Sequence, residues 1–578
     1  MRVLLLQHED FLDSGPWSAQ DWDLIVNLGR SPLSHLGQLH NGIPVLHLDD
    51  YSQPFSDARI VRDLRHAGRG QLIDEHGIDF WELTSIAIVQ QAFKVLQLQR
   101  LAAEIPRDAE LWSTRPHWTI GVLSELLDAS VTCFRDGRWI RAKSATQHYW
   151  QVLHQFSPSQ IKQIVFDKYD AGYRWRSHFS RNQRHGSAPV VLVPSAYTNV
   201  SRTAALYAAM LPGLRFLLVA TRQSAHECVL PENMEACDLA AYARVQPPSS
   251  ELASLMEAWT KLRSHLQDLE PLRLLSIAGM LDRIPSLLHS VPFVRNAWRQ
   301  VLECEPVCSV LCGDDSNFVT SLPVVLAKKR NIPTVDFHHG ALDGFYLFKD
   351  LPSDLYLAKS EMERDYLLRL CGLPPAKVVI APPTVRQNVA SGSRTRDPRN
   401  IVLFSEPYEV AGMHAEDVYG ELLPELWRLA QRNRRELVVK LHPFEIRTQR
   451  MRMASGVLSE EVFSQIRWLQ GPLTSELLEG TWFGITIEST TAIECAQNGV
   501  CCFLCRWLKL SPFGYAEQFT RFGMGESLQN LQQINEIPDR VEEFHNRHRV
   551  QQTETDPSQL LKWLTSGRRE DGQARSAS

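Results

Sequence analysis

The feature that most constrains this chain is its rhythm: short apolar runs alternate with helix-length amphipathic segments almost from end to end. Alternation of this kind folds into parallel sheets flanked by helices. Early runs that read as strands are Val3–Leu6, Leu24–Val26 and Val45–Leu48, and a helix-rich stretch follows from Phe80 to Ile105. Val190–Val193, Phe216–Val219, Ser309–Leu311 and Thr334–Phe337 continue the series. The rhythm restarts with Leu355–Leu357, Val378–Ile380, Ile401–Phe404, Leu437–Lys440, Phe483–Ile487 and Cys501–Leu504, with helices such as Val418–Asn433 and Thr490–Gln497 between them. The pattern predicts an α/β protein of two Rossmann-like domains that meet around residues 345–355 and face each other across a cleft. The expected domains are an N-terminal one over 1–348 and a C-terminal one over 349–566, with a tail at 567–578 whose small and charged residues predict disorder. Ligands of such sheets gather outside the carboxyl ends of the strands, so residues just after each strand carry the interest.

Composition narrows the class. A chain of 578 residues is too long for a single hydrophobic core. Its 44% hydrophobic and 22% charged residues are ordinary for a globular protein, and a net charge of −5 gives no general attraction for nucleic acid. Eleven cysteines are scattered, and the Cys502/Cys505 spacing has no second pair beside it. They read as small apolar side chains of a buried strand, and free thiols fit a reducing cytosol. The opening Met1-Arg-Val-Leu-Leu-Leu-Gln-His run meets charge too soon for a signal-peptide core. No uninterrupted apolar segment approaches the ~20 residues of a membrane helix. A cytoplasmic protein is expected, and any membrane contact would be peripheral, at the inner face. Ser391–Arg399 reads as a loop, and no internal repeat is visible.

The most informative stretch is Phe483-Gly-Ile-Thr-Ile-Glu-Ser-Thr-Thr-Ala-Ile-Glu-Cys-Ala-Gln-Asn-Gly-Val. It reads as strand, hydroxyl-rich turn, helix and a glycine stop at Gly499. Ser489, Thr490 and Thr491 fall where strand hands over to helix, and a helix start offers unpaired N–H groups and partial positive charge. The combination suits a phosphate, with Glu494 one turn on for a ribose hydroxyl. An ordinary Ser/Thr cap with Glu494 in a capping box explains the same residues. In Leu437-Val-Val-Lys-Leu-His-Pro-Phe-Glu a buried strand delivers Lys440 and His442 to its carboxyl end, where Pro443 stops the ladder. A cation and an imidazole beside a phosphate can neutralise a departing nucleotide, whereas a strand-end histidine satisfied by backbone is the simpler alternative.

Lys440-Leu-His-Pro followed by Glu488-Ser-Thr-Thr-Ala-Ile-Glu resembles the HP and Ser/Thr-rich motifs of certain GT-B transferases. That group includes capsule Kdo transferases, bacterial sialyltransferases and polysialyltransferases, and CDP-glycerol glycerophosphotransferases. The resemblance covers roughly residues 300–510. It implies a GT-B-type fold, a donor nucleotide that is often cytidine-based, His442 on its phosphate, and Ser489 to Thr491 holding that phosphate.

Other strand ends add candidates. Ser309-Val-Leu-Cys-Gly-Asp-Asp-Ser-Asn ends in Asp314 and Asp315, either of which could deprotonate an acceptor or could cap the following helix. The sialyltransferase-like enzymes carry an acidic pair followed by glycine, and Ser316 departs from that pattern. His338, His339 and Gly340 end the next strand, with His339 the candidate acid, base or phosphate ligand. Glu406 follows Ile401–Phe404 where donor-binding loops are placed, with Tyr408 and Glu409 weaker candidates. Ser195, Asn199 and Arg202 could bind an acceptor or an anion, although capping by Asn199 accounts for part of that pattern. Tyr173-Arg-Trp-Arg-Ser-His-Phe-Ser-Arg-Asn-Gln-Arg-His mixes cations with aromatics, and reads as a basic helix face or a sugar- and phosphate-binding one.

Together these residues predict a metal-independent glycosyltransferase with no cofactor beyond its nucleotide-sugar co-substrate. The donor, CMP- or UDP-linked, would sit on Lys440, His442, Pro443, Glu406, Ser489, Thr490, Thr491 and Glu494, and Asp314, Asp315 or His339 would act on the acceptor, a surface polysaccharide or glycolipid. The alternatives are a nucleotide-sugar 2-epimerase, a CDP-glycerol-type phosphotransferase, or a GT-B-like binding protein without catalysis.

Overall fold

The computed structural model describes residues 1–7, 20–29, 42–114, 116–134, 188–243, 247–315, 317–338, 340, 342, 344–383, 398–408, 413–443, 445–471, 473–508, 513–547 and 555–566. The basic and aromatic run Tyr173–His185, Glu409, His339, nearly all of the loop Ser391–Arg399 and the tail 567–578 lie outside the described residues.

Among the described residues the strands form three sheets. The first holds β1 (Arg2–Leu6), β2 (Leu24–Asn27), β3 (Val45–His47), β4 (Glu110–Ser113) and β5 (Val131–Cys133). The second holds β6 (Val190–Ser195), β7 (Arg215–Ala220), β8 (Met234–Asp238), β9 (Val307–Cys312), β10 (Thr334–Phe337), β11 (Leu355–Ala358) and β12 (Val378–Ile380). The third holds β13 (Asn400–Phe404), β14 (Glu436–Lys440), β15 (Arg467–Leu469), β16 (Thr481–Thr486), β17 (Cys501–Cys505) and β18 (Glu526–Leu528). Every pairing within them is parallel.

The strand orders are β3-β2-β1-β4-β5, β12-β11-β10-β9-β6-β7-β8 and β15-β14-β13-β16-β17-β18. Counted within each sheet, the first runs 3-2-1-4-5, the third 3-2-1-4-5-6, and the second, read from its other edge, 3-2-1-4-5-6-7. All three follow the doubly wound Rossmann order, which reverses direction between its first and fourth strands. Those switch points lie between β1 and β4, β6 and β9, and β13 and β16. The expected α/β architecture of Rossmann-like sheets is therefore the one found.

Why these segments form strands is plain in their burial. β6, β13 and β17 are buried along their whole length, as central parallel strands covered by helices on both faces must be. Cys501, Cys502 and Cys505 are free and buried within β17, the apolar role expected of them. Two glycines admit close packing: a Cβ on Gly484 would stand 2.6 Å from the Phe404 ring, and one on Gly313 would stand 2.3 Å from that of Phe337.

The chain divides into two compact units, each drawn from three segments. One comprises Met1–Asp57, Lys94–Phe156 and Asn388–Gln552, and carries the first and third sheets. The other comprises Ala58–Phe93, Ser157–Gln387 and Thr553–Ser578, and carries the second. Three details differ from the sequence expectation. The first sheet, expected in the N-terminal domain over 1–348, is grouped with the third sheet, because local periodicity does not record which segments cluster. β11 and β12, expected to open the C-terminal half, extend the second sheet instead, because an apolar run does not reveal which sheet it joins. The helix Pro557–Ser566, counted with the C-terminal domain from its position in the chain, buries Leu560 and Leu564 in the core of the second sheet. Thr555 Oγ1, just before it, donates to Pro382 O at 2.8 Å.

Candidate functional site

Three neighbouring strands of the third sheet, β14, β13 and β16, end in the residues singled out from sequence. His442 follows β14, Ser405 and Glu406 follow β13, and Glu488 to Thr491 follow β16. Two strand spacings separate the outer pair, about 10 Å, a span that a nucleotide's phosphates and sugar can bridge.

Glu406 is the hinge of this edge. Its buried carboxylate accepts from Thr486 Oγ1 at 2.6 Å, Ile487 N at 2.9 Å and Glu488 N at 3.0 Å. Burial raises its pKa, while these donors pull the other way. Glu406 thus fills an anion-binding concavity of backbone N–H groups with its own charge. It is placed to shape the β16 turn, with its Oε1 atom already accepting three hydrogen bonds.

That turn delivers the hydroxyls. Ser489 Oγ accepts from Thr491 N at 3.2 Å and bonds Thr491 Oγ1 at 2.9 Å. Thr490 stands at the cap position without a side-chain cap bond, and the helix Thr491–Gln497 starts after it. Ser489 and Thr490 are half-buried, and Glu494 is exposed. Gly499, at φ +66°, ends the helix as the glycine stop predicted.

On the β14 side, Lys440 is buried and donates from Nζ to Gly471 O at 2.6 Å and Leu441 O at 3.0 Å. Its ammonium closes the loop after β15 against the end of β14. His442 is half-buried and Pro443 exposed. The His442 backbone N–H donates to Glu445 Oε2 at 2.6 Å. Glu445 Oε1 accepts from Ser405 Oγ at 2.8 Å and pairs with Arg450 Nε at 2.7 Å, both side chains being buried. Ser405 Oγ also bonds Tyr419 Oη at 2.8 Å. Tyr408 is buried, and hydrophobic burial pushes its phenol well above the usual range. Sequence reasoning gave Glu445 and Arg450 no role. Glu445 closes the Lys-Leu-His-Pro-Phe-Glu run and was within reach as a carboxylate three residues after the histidine; Arg450 left no signal.

The second sheet has its own carboxyl edge. At its switch point Ser195, fully buried, bonds Ser201 Oγ at 2.8 Å and donates to Tyr197 O at 3.2 Å. Tyr197, not Asn199, is the cap of the helix Thr198–Met210, which begins two residues too early for Asn199 to cap it. Asn199 and Arg202 are half-buried in its first turns. The Arg222 guanidinium lies 5.1 Å from the centre of the Tyr197 ring. Burial raises the Tyr197 phenol, Arg222 opposes that, and Asp314 adds to it.

Asp314 and Asp315 part ways after β9. Asp314 accepts from Asn317 Nδ2 at 2.7 Å. Asn317 is the helix cap, with Oδ1 accepting from Val319 N at 3.0 Å and Thr320 N at 3.2 Å, so neither aspartate takes that role. Asp315 is ion-paired with the buried Lys349. After β10, His338 Nδ1 bonds Tyr346 Oη at 2.6 Å.

Among the described residues no group of His, Cys, Asp or Glu is placed to hold a metal ion. No described helix is long and apolar enough to cross a membrane.

Comparison with known proteins adds a general likeness. No family model and no curated protein matches the chain. Among solved structures, the chain is similar to UDP-GlcNAc 2-epimerase from Neisseria meningitidis bound to UDP-GlcNAc, at 13% identity and a TM-score of 0.40 over 65% of this chain and 99% of that one. A putative UDP-N-acetylglucosamine 2-epimerase from Listeria monocytogenes gives 14% identity and a TM-score of 0.42 over 67% of this chain and 100% of that one. The glycosyltransferase SnogD from Streptomyces nogalater gives 13% and 0.34 over 66% and 99%. At such values the likeness extends no further than a general α/β layout.

Proposed function

We propose that this chain is an enzyme acting on a nucleotide-activated sugar, most simply a glycosyltransferase, whose donor phosphate rests at the carboxyl edge of the third sheet. One observation carries the reading. His442, the Glu406-braced turn and the Ser489–Thr491 hydroxyls, distant in sequence, end three adjacent strands around the switch point between β13 and β16. That is the place where open α/β sheets bind ligands. Ser489, Thr490 and Thr491 supply hydroxyl donors to a phosphate, and His442 supplies an imidazole on the other flank. The expected gain is stabilisation of the negative charge that builds on the leaving nucleotide. Of the two aspartates after β9, Asp314 is the candidate base, since Asp315 is engaged by Lys349.

The test is a thermal-shift screen with CMP, CDP, UDP and GDP. A nucleotide present at about 100 times its Kd stabilises by about 2.7 kcal/mol, so the right one stands clear of the others. The shift should vanish in His442→Ala. Absence of a shift with all four nucleotides overturns the reading, and an unchanged shift in the variant removes His442 from the site. Product analysis with the sugar-linked form of the nucleotide that binds separates glycosyl transfer from epimerisation and from glycerophosphate transfer.

A further inference from the structure

Lys349 was not singled out by any motif, yet it lies among several buried charged residues beside the second sheet. Three carboxylates gather at the ends of β9 and β10: Asp314, Asp315 and Asp336, all buried. Asp336 is 1% exposed, and its Oδ2 atom, like Asp315 Oδ2, has no hydrogen-bond partner among the described residues. Lys349 is 5% exposed and is ion-paired with Asp315. Its Nζ also stands 3.9 Å from the centre of the Tyr346 ring, the attractive face for a cation. Tyr346 meets the His338 ring edge-on at 4.6 Å between centres and bonds His338 Nδ1 through its hydroxyl at 2.6 Å.

These contacts form one chain of neighbours. It runs from Asp315, after β9, through Lys349 and Tyr346 to His338, after β10. Behind it, the backbone that carries Lys349 is held by the helix Pro54–His66 and the turn after it. Arg65 donates to Phe348 O at 3.4 Å, and Asp350 receives His66 at 2.9 Å and Arg69 at 3.3 Å. Burial alone would pull the Lys349 ammonium down, but its carboxylate surroundings, Asp315 first, more than offset it, so the cation persists. A buried cation with that many contacts, removed from water, must be fixed in place by them.

We propose that Lys349 is a positioning residue: it locks the Gly313–Asp315 loop and His338 into one arrangement, and thereby sets where Asp314 stands at the carboxyl edge of the second sheet. The inference rests on the reading of that edge as the acid–base side of a nucleotide-sugar enzyme. Lys349 itself, buried against Tyr346, does not touch substrate; it acts through Asp315 and His338.

The experiment compares Lys349→Met and Lys349→Arg in the full chain, with Asp315→Asn as a second way to weaken the same link. Histidine-labelled NMR is the first readout, with the His338 signal identified from its loss in His338→Gln. The His338 ring signal should move in Lys349→Met and in Asp315→Asn, and return towards its original position in Lys349→Arg. An unmoved His338 signal in either folded variant overturns the proposal. The second readout is turnover with the sugar-linked form of the nucleotide found by thermal shift. Loss of at least tenfold in kcat with KM within twofold, restored in part by arginine, supports a positioning role, and a loss confined to KM refutes it. The nucleotide-induced thermal shift should persist in all three variants. Its absence from the wild-type chain would instead sink the proposed function, and would leave the NMR result to judge Lys349 by itself.

Discussion

At the residue scale the chain places carboxylates where their charge is costly, and each has a different answer. Glu406 is surrounded by donors, so its removal should cost more than its burial saves. Glu406→Ala strands the backbone N–H groups of Ile487 and Glu488 and leaves Thr486 Oγ1 with Phe404 O, at 3.2 Å, as its acceptor. Loss of about 3 kcal/mol is expected from unsatisfied buried donors, measured by urea unfolding, together with a weaker nucleotide-induced shift because the Ser489–Thr491 turn loses its brace. Asp336 Oδ2 has no such donor among the described residues. Burial first, then the charges of Asp315 and Asp314, hold its carboxyl well above the usual range, with Lys349 opposing. A carboxyl raised in the folded state keeps its proton where the unfolded chain has released it, so stability falls as pH rises above about 4, by up to about 1.4 kcal/mol per unit, until the folded group also ionises. Asp336→Asn, which cannot ionise, should flatten that slope, and should raise Tm at pH 8 more than at pH 4. An equal change at both values would show that Asp336 carries no proton-linked cost. Asp350 behaves oppositely. Burial raises it, but His66, Arg65 and Arg69 outweigh that and hold it below the usual carboxylate range. Its contribution is therefore present above the unfolded carboxylate value and is lost as pH falls through the depressed one. That His442, Ser489, Thr490, Thr491 and Asp314 follow strand ends was legible, because the apolar runs before them mark the strands. Lys349, Glu445 and Arg450 were not, because a buried cation bears no mark in sequence until its partners are brought beside it.

At the scale of elements, the strands with long apolar runs were readable and several others were not. β5, β15 and β18 have three residues each and lie at sheet edges, and β8 is an edge strand of mixed polarity. An edge strand buries little, so nothing forces its composition to be apolar. β4 is interior, but Glu-Leu-Trp-Ser reads as half-polar, and its neighbours β1 and β5 supply the pairing that propensity does not. The contacts that set sheet against helix are sharper than composition suggests. Gly313 sits against Phe337 and Val200, where an added Cβ would come within 2.3 Å and 2.8 Å. Gly313→Ala should therefore destabilise by about 1–3 kcal/mol through overpacking, and should also displace Asp314, its neighbour. Chemical unfolding measures the first effect. A variant as stable as the wild type would show that Phe337 can turn aside at no cost.

For the whole molecule, the helix Pro557–Ser566 proves to be structural. It belongs with the second sheet, where Leu560 and Leu564 are fully buried. A chain ending at Asp556 should lose the unfolding cooperativity of the Ala58–Gln387 part while the third sheet keeps its nucleotide-induced shift. Hydrogen exchange resolved along the chain tests this, and uniform protection in the truncated chain would refute it. The amino-acid sequence by itself determined that the protein is α/β, that its sheets are parallel, and that hydroxyls, a histidine and carboxylates would end their strands, because these follow from local periodicity and composition. Only the tertiary structure decided that there are three Rossmann-ordered sheets among the described residues, that β11, β12 and the last helix complete the second, and that Glu406 and Lys349 brace the loops around them. Sheet membership and charge pairing are made by residues tens to hundreds of positions apart, and no local pattern records which of them will meet.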